Sequence, residues 1–366
     1  MSEIKGLFKN MPKLVIGDLI ANLPIVQGGM GVGISLSSLA TAVANEGGIG
    51  VISAVGIGMD EQDFVKNSRE ANKRAFRNEI RKAKEQTSGI IGVNIMVAIS
   101  DYKEIVKVAV EEGADIIFSG AGLPMELPNL VGKKSKTKLV PIVSSARAAR
   151  IILKRWIEKY DCVPDAFVLE GPMAGGHLGF KKEQIFDSNY SLERLVPEVI
   201  NEVKKYEIKY NINIPIIVGG GIYSGEDIYK FINMGASGVQ MGTRFVATYE
   251  CDASMEFKQS YIDCKEEDIV IIKSPVGLPG RAIRNKFLDD VKNNLKEPFN
   301  CPFKCIRTCD YKKSPYCISL ALFNAKKGNL KDGFVFAGQN AYKISELLSV
   351  KKLVESLKAE YSLGYN

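Results

Sequence analysis

Residues Glu170–Phe180 read EGPMAGGHLGF and hold the only histidine of the 366-residue chain, His177. An imidazole is the side chain whose ordinary pKa lets it trade a proton near neutrality. The apolar run Ala166-Phe167-Val168-Leu169 leads into it and reads as a buried strand. Gly175 and Gly176 then let backbone come close to a flat or bulky group. A strand that ends in a glycine turn and delivers a titratable ring is how a barrel enzyme presents a catalytic residue, so His177 is the candidate. The competing reading is a tight turn with a packed histidine.

Other glycine clusters fall at the ends of other apolar runs. Gly28-Gly29-Met30-Gly31 follows the first, Asn94 lies in the third, and Ser119-Gly120-Ala121-Gly122 ends the fourth. Gly219-Gly220-Gly221 ends the seventh and Gln240-Met241-Gly242-Thr243 the eighth. Loops after the seventh and eighth strands of a barrel commonly hold phosphate on bare amides and a helix N-terminus. Glycine leaves room there for the phosphate oxygens, so a phosphate-bearing cofactor is expected. No G-x-G-x-x-G follows the first strand, no Walker A pattern occurs and no G-x-S-x-G elbow occurs. A single histidine also excludes zinc hydrolase sites built on several.

The elements that must position these residues are eight short apolar segments. They are Ile25–Gly28, Ile49–Ser53, Ile91–Met96, Ile116–Ser119, Leu139–Ser144, Phe167–Glu170, Ile216–Gly219 and Gly238–Met241. Most are continuous rather than alternating, as parallel strands covered on both faces are. Helical patterns separate many of them: Leu39–Glu46 with Ser35 or Ser37 as cap, Tyr102–Glu112, Ala146–Tyr160, Leu192–Tyr206, and Asp227–Asn233 capped by Ser224. The alternation predicts an α/β fold, a TIM (β/α)8 barrel, with a doubly wound sheet as runner-up. The expected organisation is a barrel over 1–244, a smaller cap or substrate domain over 245–332, and a return segment over 333–366 that ends in a helix, Ile344–Ala359. Glu61–Lys84 reads as a solvated helix.

Formal net charge is +7, but the lysines are scattered with no arginine-rich arm, so nucleic acid is not expected as a partner. No run of about 18 apolar residues occurs, which argues against a membrane span. The N-terminus lacks an apolar signal core, so the cytoplasm is the expected compartment. Four of the seven cysteines, Cys301, Cys305, Cys309 and Cys317, fall within 17 residues. If that segment is helical, the spacing of four puts the first three on one face. Four thiolates could hold zinc or an iron–sulfur cluster, although neither Cys-x2-Cys knuckles nor ferredoxin spacing is present. Free thiols are the other reading.

The motifs QGGM, GVNIM, EGPMAGGHLG, VGGGI and VQMGTRF, together with GRAIRN (Gly280–Asn285) and AGQ (Ala337–Gln339), resemble the nitronate monooxygenases (2-nitropropane dioxygenases) and their relatives, the type II flavin enoyl-acyl-carrier-protein reductases. The resemblance runs from about Ile25 to Gly338 and implies an FMN-dependent enzyme on a TIM barrel. It implies that Gly29 and Met30 line the flavin ring, that Asn94 and Glu170 reach its polar edge or ribityl chain, and that Gly175 allows close approach. Gly220, Gly221, Gly242 and Thr243 would hold the phosphate with Gln240 beside them, and His177 matches the active-site histidine. Glu170 stands where many nitronate monooxygenases have Gln, and Met173 where many relatives have an acidic residue. The expected reaction is oxidation of a nitronate by O2, with His177 taking the proton α to the nitro group or holding the anion as imidazolium. The alternative is an NAD(P)H-dependent reductase of enoyl thioesters or quinones. A flavin-binding electron-transfer module wired through the cysteines is the third reading, and a homodimer stays open.

Overall fold

The computed structural model describes residues 10–296, 301 and 303–364. Eight strands form one parallel sheet: β1 (Ile25–Gln27), β2 (Gly50–Ser53), β3 (Ile91–Met96), β4 (Ile116–Gly120), β5 (Lys138–Val143), β6 (Phe167–Glu170), β7 (Ile216–Gly219) and β8 (Gly238–Met241). β8 pairs with β1, and the ring closes where Ile49 N–H donates to Ile25 O and Gln27 N–H to Ile49 O, both at 2.9 Å. This is the expected TIM barrel. The pleat sorts the strand residues by parity. Val26, Val51, Phe118, Val140, Val168 and Ile217 share one buried cluster with Leu14 and Ile16. Ile25, Ile52, Ile117, Leu139, Phe167 and Val218 belong to a second cluster with the surrounding helices. Leu14 and Ile16 come from a hairpin, Leu14–Ile16 with Leu19–Ala21, that plugs the barrel where the strands begin. The ends where the strands finish are left for the site.

The surrounding helices are α1 (Ser37–Asn45), α2 (Phe64–Gln86), α3 (Tyr102–Glu111), α4 (Leu127–Val131), α5 (Ala146–Tyr160), α6 (Leu192–Tyr210), α7 (Gly225–Asn233) and the single turn α8 (Thr243–Val246). Ser224 caps α7 as expected, its Oγ accepting from Asp227 N–H at 3.2 Å while Asp227 accepts from Tyr223 and Ser224 N–H. The expected serine cap of α1 is absent. Ser35 Oγ instead accepts from Met30 N–H at 2.8 Å, and the Asp252 carboxylate takes the N–H of Leu36 at 2.9 Å. A serine committed to the loop beneath the cavity cannot also cap the helix.

Beyond α8 come α9 (Met255–Asp263), α10 (Lys286–Lys292), α11 (Ile318–Lys326) and α12 (Val350–Leu363). α12 begins six residues later than Ile344 because Leu348 N–H donates to Ala247 O, and the helix starts only after the Ser349 cap. It packs on α7 so closely that a Cβ on Gly225 would lie 2.2 Å from Leu357 O. No helix of the described residues is long and apolar enough to cross a membrane.

A second, antiparallel sheet covers the mouth: β9 (Ile269–Lys273), β10 (Pro279–Ile283) and β11 (Val335–Phe336). Gly176–His177, from the loop after β6, adds to it as a short strand against β10, with His177 opposite Gly280. The covering sheet thus draws strands from 245–332, from the return segment and from a barrel loop. β11 lies in the expected return segment, and Phe257 and Tyr261 of α9 pack into the barrel's main core. The described part of the cysteine segment is not helical before Ile318. Its backbone is engaged elsewhere: Ser100 N–H donates to Cys305 O at 3.0 Å and Arg307 N–H to Ala98 O at 2.9 Å.

Candidate active site

A cavity of about 500 Å³ opens at the ends where the strands finish. His177, Gly29, Met30, Asn94, Glu170, Gly175, Gly220, Gly221, Gln240, Gly242 and Thr243 all line it. The barrel brings these residues, spread over more than 200 positions, to one wall because every parallel strand ends on the same side.

Several of the glycines are required by the chain itself. A Cβ on Gly29 would sit 2.3 Å from the Cβ of Asn94, so this glycine makes room for the asparagine. A Cβ on Gly175 would meet Ala337 C and Gly338 N, each at 2.6 Å. Its close approach is thus to the chain after β11. Gly220 has φ +102° and would touch Gly171 O at 2.8 Å. Gly242 differs: the nearest atom to its missing Cβ is Met30 Sδ, at 3.8 Å. The N–H groups of Gly220, Gly221, Gly242 and Thr243 donate to no acceptor among the described residues. Thr243 Oγ1 accepts from Gly338 N–H at 3.0 Å, and Asn340 Nδ2 donates to Gly221 O at 2.5 Å. These two contacts pin the loops after β7 and β8 from the side of the second sheet.

His177 Nε2 lies 2.7 Å from Ser274 Oγ, and its ring meets Phe336 edge-on at 5.0 Å. Burial pulls the imidazole pKa down to about 4, so the ring is neutral at physiological pH. With no anion bound, burial thus disfavours the charged ring. Ser274 is itself buried, and its Oγ accepts from Val276 N–H at 3.4 Å. When the Ser274 O–H donates to Nε2, the proton of the neutral ring sits on Nδ1. Nδ1 makes no hydrogen bond among the described residues.

Glu170 ends β6 in the cavity wall. Burial alone pushes its carboxyl up to about 7, so near neutrality it is poised between acceptor and donor. Arg281, in β10, is 2% exposed and has no carboxylate partner among the described residues. Its Nη1 donates to Pro172 O at 2.5 Å and Ala174 O at 2.7 Å, and burial lowers its pKa to about 10. The guanidinium holds the loop between Glu170 and His177 in shape. Sequence reasoning noticed GRAIRN and AGQ without a role for Arg281 or the neighbouring Asn340. It had no signal for Ser274, a serine in an ordinary strand-turn context.

The nitronate monooxygenase family model matches residues 14–360, nearly the whole chain. The chain belongs to that family. It is 25% identical to a probable nitronate monooxygenase of Staphylococcus saprophyticus, over 94% of this chain and 96% of the relative. Among solved structures it is similar to FabK from Thermotoga maritima, with a TM-score of 0.72, 28% identity and 93% of each chain covered. The fold is shared with a nitroalkane oxidase from Streptomyces ansochromogenes, with a TM-score of 0.71 and 22% identity over 94% of this chain and 97% of that one. As a member of the family the chain is an oxidoreductase that acts on small molecules.

Proposed function

We propose that this family member is an FMN-dependent nitronate monooxygenase, with a nitronate held against the flavin under His177. The observation that carries the cofactor is the set of four unpartnered amides, at Gly220, Gly221, Gly242 and Thr243, where the last two strands end. Unpaired N–H groups in a cavity wall fit a phosphate dianion, and Thr243 starts a helical turn that adds its dipole. Asn94, Glu170 and Gln240 supply polar groups, and Gly29 and Met30 a backbone wall, for the rest of the molecule. Bound FMN would supply the redox chemistry, accepting electrons from the nitronate carbon and passing them to O2.

The residues of the chain do the rest. A nitronate has already lost its α proton, so it needs a hydrogen-bond donor more than a base. A neutral His177 with its proton on Nδ1 offers that donor without the cost of a buried charge. Ser274 holds the tautomer, and Phe336 of the covering sheet lines the cavity beside the ring. The seven free cysteines fit a reducing compartment, in keeping with the cytoplasm.

The test is oxygen consumption with an alkyl nitronate in the absence of NAD(P)H. Rapid turnover supports the reading. Oxidation of NAD(P)H with a crotonyl thioester or quinone, and none of a nitronate, replaces it with the reductase reading.

A further inference from the structure

Cys301, Cys305, Cys309 and Cys317 all line one further cavity, of about 230 Å³. Lys304, between the first two, has φ +46°, a left-handed turn that lets the chain double back on this cavity. The cavity abuts the active site: Ile306, Ile318 and Ser319 line both. Ser319 Oγ lies 3.2 Å from Cys305 Sγ.

We propose that these four cysteines are the thiolate ligands of an iron–sulfur cluster seated beside the active-site cavity. The inference does not depend on which substrate the active site takes.

Four readings of the cysteines can be weighed. As a disulfide pair they would be linked, but all four thiols are free. As reactive redox thiols they would need a cationic partner at the sulfur; Cys305 Sγ instead meets the neutral Ser319 Oγ at 3.2 Å. As a zinc site, with Zn–S bonds of about 2.3 Å, they would have sulfurs roughly 3.8 Å apart. Among the described residues no three potential ligands converge closely enough to hold one ion. A polynuclear cluster keeps its ligand sulfurs farther apart around a space of its own, and four thiolates at the rim of one cavity suit that. The surroundings match its negative charge. Lys304 and Arg307 line the cavity, and Lys304 N–H donates to Cys301 Sγ at 3.4 Å. Amide-to-sulfur bonds of this kind are among the levers that tune such clusters.

The experiment is anaerobic purification of the full chain, reconstitution with ferrous iron and sulfide, and assay of iron, acid-labile sulfide, zinc and flavin. The expected result is iron and sulfide in equal number, two or four of each per chain, with broad visible absorbance beneath the flavin bands and an electron paramagnetic resonance signal on reduction. Cys309→Ser and Cys317→Ser should each lose most of the iron while flavin content stays within about twofold of the unaltered protein. Four alkylatable thiols with no iron or sulfide uptake by the folded protein would overturn the proposal. So would one zinc per chain without sulfide, or iron that survives replacement of all four cysteines by serine.

Discussion

His177 and Ser274, 97 residues apart, meet at 2.7 Å between Nε2 and Oγ. One stands on the loop after a barrel strand, and the other follows a strand of the covering sheet. The backbone of the same loop pairs with that sheet, so the ring is held by side chain and main chain together. The covering sheet thus positions the candidate catalytic ring.

Removing the serine hydroxyl tests this directly. Ser274→Ala should keep flavin and lower turnover about tenfold, the loss expected of one hydrogen bond worth about 1–1.5 kcal/mol. Ser274→Thr, which restores a hydroxyl, should recover much of it. Steady-state kinetics on a nitronate, with flavin content measured in parallel, decides the matter. Unchanged turnover in the alanine variant would leave His177 positioned by packing alone.

The imidazole and the carboxyl should pull stability in opposite directions with pH. The folded pKa of His177 is lowered, from 6.5 to about 4, so the unfolded chain binds its proton first. Its contribution is lost as pH falls from about 6.5 towards 4. The folded pKa of Glu170 is raised, from 4.5 to about 7, so the folded state keeps a proton that the unfolded state releases. Its contribution is lost as pH rises from about 4.5 through 7. In the flavin-free protein Glu170→Gln should therefore gain melting temperature relative to the parent as pH rises through that window, and His177→Asn as pH falls below 6.5. Parallel melting curves for parent and variants at every pH would refute both shifts.

Gly242 offers the cleanest probe of the phosphate site. Its missing Cβ would make only ordinary van der Waals contact, with Met30 Sδ, whereas one on Gly220 would strike Gly171. Gly242→Ala should fold and bind FMN nearly normally. Gly242→Asp should fold as well, since aspartate suits a helix N-cap, yet weaken FMN on the order of 100-fold through charge repulsion. Fluorescence titration of the apoprotein measures this, and equal affinities for the two variants would move the phosphate elsewhere.

Arg281→Met should leave the carbonyls of Pro172 and Ala174 without their donor. The expected loss is about 1–3 kcal/mol per unsatisfied group, read from denaturant unfolding. Because these carbonyls belong to the loop that carries His177, turnover should fall further than flavin affinity. A variant with parental stability would show that water can replace the guanidinium.

Much of the architecture follows from local pattern alone. Runs such as IIFSG and FVLE cannot be solvated on either face, and helical stretches between them cover one side while the barrel interior covers the other. The glycine-rich ends of those runs were legible for the same reason: a strand that stops at Gly-Gly leaves amides free where all parallel strands finish. Chain order cannot tell which distant atoms share a wall. That Ser274 orients His177, that Arg281 braces the loop before it and that Gly175 yields space to Ala337 all arise from β10 pairing with Gly176–His177 across about 100 residues. The cysteines show the same limit. Their spacing suggested one face of a helix, but Ser100 and Ala98 engage the backbone of that segment, and the thiols reach a common cavity through irregular turns instead. Long-range hydrogen bonds outweigh a local helical tendency wherever the fold satisfies those backbone groups first.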